Sequence, residues 1–376
     1  MQNKLNLVYF GHVEIPSKRA YAVNMMHMCD SLSKYFNVKL LALFTQTNIS
    51  INQIRDKYNV SSDFKISLLK VPRIYFFESL IFVFKGFSKI IFKSKIDIIY
   101  SRDLLAAFIG IMFGFNVLFE AHMPLKKKRH IFLFKLISGF KKFKLICISN
   151  SLSKKYKLDF LNLDSKKIII LPDGAKISNK PKKNILDKDN NYENISYGYV
   201  GNLFKGKGME IIAPLSWIMK DRTFHIIGGN QRDITYWKKK CNFNVIFYGF
   251  VDQKQLNNLY NNFDIALLPL QPLISPDGGD SNIAKYTSPM KMFEYISHQK
   301  LIVSSNLPVL LEVLKNDFNS IIIQENTPEV WYEKLIEIEN DKDRLIKITS
   351  NAYKELINLY SWDVRASRLV NFISNE

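Results

Sequence analysis

The chain has 376 residues, 47% of them hydrophobic, which is enough for two domains of ordinary size and too apolar for a disordered chain. Its 53 basic and 34 acidic side chains are unevenly spread: residues 1–180 hold 30 basic and 11 acidic residues, whereas residues 181–376 hold 23 of each. A basic first half indicates an anionic partner, either nucleic acid or membrane headgroups, unless the lysine-rich composition has no functional meaning.

The three cysteines, Cys29, Cys147 and Cys241, lie far apart in sequence, which argues against a disulfide framework or a zinc cluster and favours a reduced, cytoplasmic setting. The first apolar run, LNLVYFG (5–11), is too short for the core of a signal peptide. The longest apolar segment (75–92) contains three charged side chains, so we expect no bilayer-spanning helix there.

Short runs rich in Ile, Leu and Val alternate with helix-length segments along the first half. These predicted strands are residues 5–11, 38–44, 96–102, 116–122, 144–150 and 167–174. A polar, charged linker is predicted at 179–195, after which the alternation restarts with strands at 196–202, 223–229, 244–250, 263–270 and 300–306. The pattern predicts two Rossmann-like, doubly wound parallel-sheet α/β domains, residues 1–178 and 196–360, which face a cleft at the carboxyl ends of their strands.

The second predicted domain begins with a glycine-rich loop, GNLFKGKG (201–208), between a strand and a helix. Gly201, Gly206 and Lys207 match the first three fixed positions of a Walker A loop, but Gly208 stands where Ser or Thr would hold Mg²⁺. Glycines let backbone N–H groups approach an anion, a helix N-terminus adds its dipole and a lysine adds charge. The loop therefore predicts a phosphate site, with a plain turn as the alternative.

Other ligand motifs are missing from the sequence. The first strand is not followed by G-x-G-x-x-G, which argues against a dehydrogenase. DGGD (277–280) is not an Asp-x-Asp clamp and no His/Cys cluster has ligand spacing, so we expect no metal and no cofactor. The basic run LKKKRH (125–130) lacks interleaved aromatic residues, which argues against nucleic acid as the partner.

A series of motifs resembles the family 4 glycosyltransferases of the GT-B fold. In chain order they are PSKRAYAVNMMHMCDSLSK, YSRD, FEAH, CISNSL, LPDG, YVGNLFKGKGMEII, HIIGG, FDIALLPL, SPMKMFEYISHQKLIVSSNLPVLLEVL and LYSWDVRASRLVNFI. The resemblance covers nearly the whole chain. It implies that the second domain binds a nucleotide sugar, that the first binds the acceptor, that the sugar is transferred with retention, and that a last helix (361–376) packs back on the first domain.

The resemblance also assigns site residues. Glu294, in an apolar segment read as helix, strand, helix (288–314), matches a glutamate that binds the ribose hydroxyls. Lys207 and the backbone of Gly206 and Gly208 match groups that stabilise charge on the departing diphosphate. His122, at a strand end, matches a histidine that faces the donor sugar, and Gly11 is expected to let the backbone approach donor or acceptor, although a tight turn would also need a glycine.

Two positions depart from the family pattern. Tyr286 stands where relatives carry a second glutamate near the donor sugar, and Asn202 replaces a basic residue after the first loop glycine. Sugar and diphosphate contacts are therefore expected to be partly rebuilt. The candidates are Lys205, Asn282, Lys285 and Lys291, together with Met290 at the start of the Glu294 segment.

Two enzyme classes remain as alternatives: a GT-B sugar-nucleotide epimerase, for which no acid/base pair is found, and a P-loop NTPase. For the glycosyltransferase we expect a glycan or lipid-linked acceptor of bacterial surface polysaccharide synthesis, such as capsule or lipopolysaccharide. Segments 75–93 and 125–144 mix Phe, Ile and Leu with lysines, as interfacial helices do. They predict that residues 1–180 dock on the anionic inner face of the membrane, with buried core helices as the alternative.

Overall fold

The computed structural model of the chain describes residues 4–17, 19–45, 49–72, 77–91, 95–177, 195–274 and 282–374. The predicted linker, apart from Ile195, and the DGGD segment lie outside the described residues. The chain divides into two compact units: the first comprises Met1–Pro172 and Trp362–Glu376, and the second comprises Asp173–Ser361. The first unit thus ends six residues before the predicted boundary at 178.

The first unit is built on a seven-stranded parallel sheet. Its strands are β1 Asn6–Ile15, β2 Asn37–Phe44, β3 Lys65–Leu69, β4 Ile98–Ser101, β5 Asn116–Ala121, β6 Phe143–Cys147 and β7 Ile168–Ile170. The helices between them are α1 Ala20–Leu32, α2 Ile51–Tyr58, α3 Glu78–Ile91, α4 Leu104–Met112, α5 Lys128–Ser138 and α6 Asn150–Asp159. All residues of β4 and β6 are buried, because helices cover both faces of a parallel sheet.

The second unit repeats this plan on a six-stranded parallel sheet. Its strands are β8 Ser196–Val200, β9 Thr223–Ile227, β10 Val245–Gly249, β11 Ile265–Leu268, β12 Leu301–Ser305 and β13 Ile321–Ile323. Its helices are α7 Met209–Ile218, α8 Gln231–Lys238, α9 Gln253–Leu259, α10 Met290–Ser297, α11 Pro328–Glu339 and α12 Lys342–Glu355. A last helix, α13 Trp362–Ser374, belongs to the first unit, where it contacts α1.

The strand orders are β3-β2-β1-β4-β5-β6-β7 and β10-β9-β8-β11-β12-β13. Both orders reverse direction beside the first strand of the unit, between β1 and β4 and between β8 and β11. Open α/β sheets bind ligands outside the carboxyl ends of the strands at such a reversal. The loops after β8 and β11 are therefore the first place to look for a site in the second unit.

Side-chain caps begin many of the helices directly after a loop. Asp103 accepts hydrogen bonds from the backbone N–H groups of Leu105 and Ala106 at the start of α4, and Ser149 accepts one from Leu152 in α6. A capping oxygen satisfies N–H groups that a helix cannot pair internally. These short polar residues explain why the chain turns from strand to helix where it does.

The predicted fold class, two Rossmann-like parallel-sheet α/β domains, is confirmed. Two edge strands, β3 and β13, were not expected, and β1 runs on to Ile15 instead of ending at Gly11. The prediction of a helix after β12 is wrong: residues 308–313 form successive turns. These turns and Leu314 after them place Leu310, Val313 and Leu314 in the core without a regular α-helix.

Among the helices of the described ranges, none combines the length and apolarity needed to cross a bilayer.

Candidate functional site

The glycine-rich loop 201–208 connects β8 to α7 at the reversal point of the second sheet. Gly206 and Gly208 both have positive φ values, +80° and +125°, that side chains rarely adopt. A Cβ on Gly206 would lie 1.8 Å from the carbonyl oxygen of Leu273, and a Cβ on Gly208 would lie 2.6 Å from Cγ of Pro269. These glycines are therefore required by backbone conformation and by tight packing on the segment after β11.

The amide groups of this loop already have an anionic partner within the chain. Glu210, in the first turn of α7, accepts a hydrogen bond from the N–H of Gly206 at 2.7 Å and one from Gly208 at 3.3 Å. We expected these two amides to be available to a diphosphate. In this structure they donate to the Glu210 carboxylate, because α7 has no capping side chain at Gly208.

Two lysine side chains lie at the loop: Lys207 within it and Lys291 beside it. Burial lowers the pKa of Lys207 to about 8. The pKa of Lys291, on α10, is held well below its ordinary value by burial and then by the charge of Lys207. Lys291 Nζ lies 3.9 Å from the centre of the Tyr199 ring and has no hydrogen-bond partner among the described residues. Two lysines with lowered pKa values are poised to gain protons when an anion binds.

Helix α10 is fixed to the end of β8, because the N–H of Val200 donates to the hydroxyl of Tyr295 at 2.8 Å. The helix therefore holds Lys291 and, one turn on, Glu294 at the carboxyl edge of the sheet. The side chain of Lys291 reaches the start of the loop, where its Nζ would lie 3.6 Å from a Cβ on Gly201.

The Glu294 carboxylate is oriented by two neighbouring side chains. Gln253 Nε2 donates to one oxygen at 3.3 Å, and the Tyr260 hydroxyl donates to the other at 3.1 Å. The pKa of Glu294 is raised by burial, and these two hydrogen bonds lower it in part. His298 stacks on Tyr260 with ring centres 4.0 Å apart, and burial lowers the pKa of His298 to about 4, so its ring is neutral at pH 7. Glu294 is thus a partly buried acceptor held in one orientation, as recognition of hydroxyl groups requires.

The remaining residues predicted for this site have different surroundings. Asn282 is occupied by the loop before α10: its Oδ1 accepts from the N–H groups of Ile274 and Ala284 at 3.0 and 2.9 Å, and its Nδ2 donates to a carbonyl. Asn202, Lys205 and Lys285 are exposed. Tyr286, in the turn that precedes α10, and Met290, the first residue of α10, are partly buried. Asn282 is therefore a residue that shapes the loop.

In the first unit, Gly11 lies inside β1 and is buried, instead of following the strand. A Cβ there would lie 1.9 Å from Sδ of Met25, so packing of α1 against the strand already requires a glycine. Its φ is not positive. The structure gives Gly11 a packing role.

His122 directly follows β5, and its Nε2 lies 2.5 Å from Oε1 of Glu120, two residues earlier on the same face. Glu120 is fully buried and also pairs with Arg102 at 2.6 Å and with Arg365 of α13 at 3.0 Å. Burial alone would raise the pKa of Glu120, but the two guanidinium groups hold it well below its ordinary range. His122 therefore forms a hydrogen bond with the ionised carboxylate of Glu120.

Several of these residues were not anticipated from the sequence. Gln253 and Tyr260 lie outside the quoted motifs, and Glu210 lies in YVGNLFKGKGMEII at a position to which no role was assigned. Glu120 had a local signal, since a carboxylate in an otherwise apolar strand needs a buried partner. The sequence does not indicate that one partner is Arg365, 245 residues later.

The described residues contain no group of three or more His, Cys, Asp or Glu side chains placed to hold a metal ion.

Residues 181–355 match the family model described as "Glycosyl transferases group 1". This matched segment includes the glycine-rich loop, Lys291 and Glu294, and so contains the groups described above in the second unit. The chain is also 25% identical over 182 residues to an uncharacterized glycosyltransferase of Methanocaldococcus jannaschii. That match covers 46% of this chain and 43% of the other protein, so the chain spans less than half the length of this curated relative.

Solved structures resemble the chain over its whole length. A glycosyltransferase from Rickettsia africae is 15% identical with a TM-score of 0.71 and full coverage of both chains. HepE of Anabaena in complex with UDP-glucose is 10% identical, with a TM-score of 0.71 and coverage of 99% and 100%. WaaG, a glycosyltransferase involved in lipopolysaccharide biosynthesis, is 13% identical, with a TM-score of 0.62 and coverage of 98% and 100%. At these identities the likeness shows the fold, which is GT-B.

Proposed function

We propose that this chain is a retaining glycosyltransferase of the family 4 type that transfers a sugar from a nucleotide-sugar donor to a glycan or lipid-linked acceptor. The observation that carries the proposal is the pairing, on one helix, of an oriented carboxylate and a buried ammonium group. Glu294 is held by Gln253 and Tyr260, and Lys291 lacks a hydrogen-bond partner among the described residues. The two lie one turn apart on α10, beside the loop that carries Lys207.

The chemistry of a nucleoside diphosphate suits this arrangement. A carboxylate accepts hydrogen bonds from the two ribose hydroxyls, and Lys207 and Lys291 neutralise the diphosphate. Charge accumulates on the departing diphosphate during transfer, so these lysines stabilise the transition state more than the bound donor. In a retaining reaction the leaving phosphate assists attack of the acceptor from the same face of the sugar. Lys207 and Lys291 supply the electrostatic stabilisation of that phosphate. His122 is proposed to contact the donor sugar.

The matches to known proteins favour this proposal over the epimerase alternative, because the family model and the relatives described above are glycosyltransferases. The P-loop NTPase alternative has less support, since Gly208 takes the position of the metal-binding hydroxyl and its N–H donates to Glu210. HepE binds UDP-glucose, which makes UDP-sugars the first donors to test.

We propose that the enzyme acts in the synthesis of bacterial surface polysaccharide and that its first unit, which would bind the acceptor, docks at the cytoplasmic face of the membrane. Helices α3, α4 and α5 pack side by side in the first unit. Leu80 and Phe84 are exposed on α3, and Phe77 is exposed directly before it. Phe132 and Leu136 are exposed on α5, and Phe140 is exposed just after it. Lysines and arginine stand beside them at positions 85, 89, 126–129 and 135. Exposed aromatic side chains mixed with basic residues suit an anionic interface.

Release of the nucleoside diphosphate from a panel of UDP- and GDP-sugars, with and without glycan or lipid-linked acceptors, tests the proposal. We expect one donor to be consumed, faster with an acceptor, and NMR of the product to show the anomeric configuration of the donor. Activity is expected to persist in EDTA, because Lys207 and Lys291 supply the charge that a metal would supply. Conversion of the donor to an epimer without any acceptor would refute transfer, and strict dependence on Mg²⁺ would favour the NTPase.

A further inference from the structure

Charged and polar side chains of the first unit surround the buried carboxylate of Glu120. Its Oε1 accepts from Arg102 at 2.6 Å and lies 2.5 Å from His122 Nε2. Its Oε2 accepts from Arg365 at 3.0 Å and from the hydroxyl of Tyr100. Glu120 is 1% exposed, whereas His122 is only partly buried. The cluster therefore connects a buried carboxylate to an imidazole that reaches the surface.

Each oxygen of the Glu120 carboxylate contacts two side chains, which fixes the orientation of the carboxylate. Arg102 also donates to Asn24 Oδ1 at 2.5 Å and lies 4.3 Å from the centre of the Tyr21 ring, so it is itself fixed. Other ionisable groups that face the cluster are the phenols of Tyr9 and Tyr21, and burial raises the pKa of both, which keeps them neutral. Among the described residues, the cluster thus joins the Glu120 carboxylate to the guanidinium groups of Arg102 and Arg365 and to the His122 imidazole.

Arg365 extends the cluster to the last helix. Besides Glu120, its guanidinium donates to the carbonyl oxygens of Pro172 at 2.9 Å and Leu171 at 3.3 Å. The side chain is 2% exposed. Arg365 therefore links α13 to two other parts of the first unit. One is the segment at Leu171 and Pro172, and the other is β5, which contains Glu120 and leads to His122.

We propose that Glu120 and Arg365 are positioning residues for His122: Glu120 holds the imidazole in one orientation through Nε2, and Arg365 fixes Glu120, so that docking of α13 sets the geometry of His122. The inference rests on the proposed function, in which His122 contacts the donor sugar. It adds that the last helix takes part in organising the site. A shift of about 1 Å in such a group costs about 100-fold in rate.

The second unit contains a smaller buried cluster, also built on a glutamate, that serves as a control. Glu339 is buried and accepts from the hydroxyl of Tyr197 and from Arg222 at 2.8 Å, and its hydrogen bonds among the described residues include none to a histidine. Neutralising Glu339 removes the same kinds of bonds as neutralising Glu120. A change seen in both Glu120→Gln and Glu339→Gln results from the loss of a buried charge in general. A change seen only in Glu120→Gln results from the loss of the contact with His122.

The experiment compares Glu120→Gln and Arg365→Met with Glu339→Gln and Arg368→Met. Arg368 lies on α13 one turn after Arg365 and donates to a carbonyl from an exposed position. The ring nitrogens of the six histidines are recorded by ¹⁵N NMR and His122 is assigned with His122→Gln. We expect the His122 ring signals to move in the first pair and to stay in place in the control pair. Arg365→Lys, which keeps the charge, should return them part of the way.

Kinetics supply the second readout. We expect kcat to fall about 100-fold in Glu120→Gln and Arg365→Met. UDP affinity, measured by calorimetry, should be unchanged, because the proposed nucleotide site is in the other unit. The control variants should keep kcat.

Unmoved His122 signals in a folded Glu120→Gln variant would overturn the inference. If that variant does not fold, Tyr100→Phe decides instead, since it removes one hydroxyl from Oε2 and no charge: unmoved signals there would overturn the inference too. A wild-type chain that releases UDP from no nucleotide sugar would refute the proposed function, and the NMR comparison would still decide whether Glu120 and Arg365 orient the imidazole.

Discussion

The ammonium group of Lys291 lies over the face of the Tyr199 ring, 3.9 Å from its centre, and has no hydrogen-bond partner among the described residues. A buried donor that is left unsatisfied costs about 1–3 kcal/mol. A fold keeps such a group when a ligand is to complete it, because a charged hydrogen bond to a ligand is stronger than a neutral one.

Replacing Lys291 should therefore separate stability from binding. We expect Lys291→Met to raise the free energy of unfolding by about 1–2 kcal/mol, because the uncompensated burial is removed. UDP binding should weaken by about 1.5–3 kcal/mol, the range for a lost charged hydrogen bond. Thermal unfolding and calorimetry measure the two changes. Lys347→Met, at an exposed lysine of α12, is the control, and unchanged UDP affinity in Lys291→Met would remove Lys291 from the site.

Lys207 gives a prediction for pH. Burial lowers its pKa to about 8, so its positive charge is complete well below pH 8 and is lost as the pH rises through that value. Since the charged form binds the diphosphate, UDP affinity should fall between about pH 7 and about pH 9, and binding near pH 8 should take up protons. Calorimetry in buffers of different ionisation enthalpy measures both quantities.

The matched variants for this titration are Lys207→Met and Lys220→Met, because Lys220 is an exposed lysine that follows α7. Lys207→Met should bind UDP weakly and lose this part of the pH dependence, whereas Lys220→Met should keep it. Lys207→Met should also lose more turnover than stability, since the charge matters most as the diphosphate departs. Full turnover in Lys207→Met would contradict the assignment.

Glu294→Gln is expected to weaken UDP binding by about 1–3 kcal/mol while the fold is retained, because an amide replaces one of the two acceptor oxygens. Tyr260→Phe should have a smaller effect in the same direction, since it removes the hydroxyl that orients the carboxylate. Calorimetry with UDP is the measurement, and Glu333→Gln, at an exposed glutamate of α11, is the control. Wild-type affinity in Glu294→Gln would refute the ribose assignment.

Glu210→Gln tests whether the diphosphate uses the amides of Gly206 and Gly208. The carboxylate now accepts from both, so its neutralisation should cost about 1–2 kcal/mol of stability. If a diphosphate replaces the carboxylate, UDP should bind more tightly to the variant, because a competing negative charge is gone. Weaker UDP binding in a folded variant would mean that Glu210 only shapes the loop.

The sequence was sufficient for the fold class because hydrophobic periodicity and strand spacing are local properties. β3 was missed because KISLL mixes Lys and Ser with its apolar residues, and β13 because it has only three residues. Residues 308–314 were misread as a helix, since Leu310, Val313 and Leu314 have helical spacing but serve the core from a series of turns. Apolar spacing indicates burial, and by itself it does not determine the backbone.

For the candidate site, too, the sequence predicted the residues that belong to local motifs and missed those that depend on tertiary contacts. Lys207 and Glu294 were accessible because each belongs to a motif of contiguous residues. Glu210 was not anticipated, because glycines that suit an anion also suit an internal carboxylate. The partnership of Glu120 and Arg365 depends on how α13 packs in the first unit, and such long-range pairing leaves no local trace in one sequence.

The exposed side of α3 and α5 gives the last prediction, binding to anionic membranes. Phe84 is 56% exposed and Phe132 is 62% exposed, and basic residues 126–129 lie at the start of α5. Each basic residue near an anionic surface contributes about 1 kcal/mol, and inserted aromatic side chains add apolar burial. We expect sedimentation with liposomes to require anionic lipid, to weaken at high salt, and to weaken further when Lys126, Lys127, Lys128 and Arg129 are neutralised together.

The apolar and the electrostatic contributions can be separated with two sets of variants in the first unit, and variants of the second unit serve as controls. Phe84→Ser with Phe132→Ser should reduce binding at every salt concentration, because apolar insertion is not screened, whereas the charge variant should lose the salt dependence itself. Neutralising Lys238, Lys239 and Lys240, an exposed lysine run of the second unit, and Phe243→Ser, at an 87% exposed side chain, are the matched controls. Equal sedimentation with neutral and anionic liposomes, or equal loss in the controls, would show that the basic first half serves another purpose than docking.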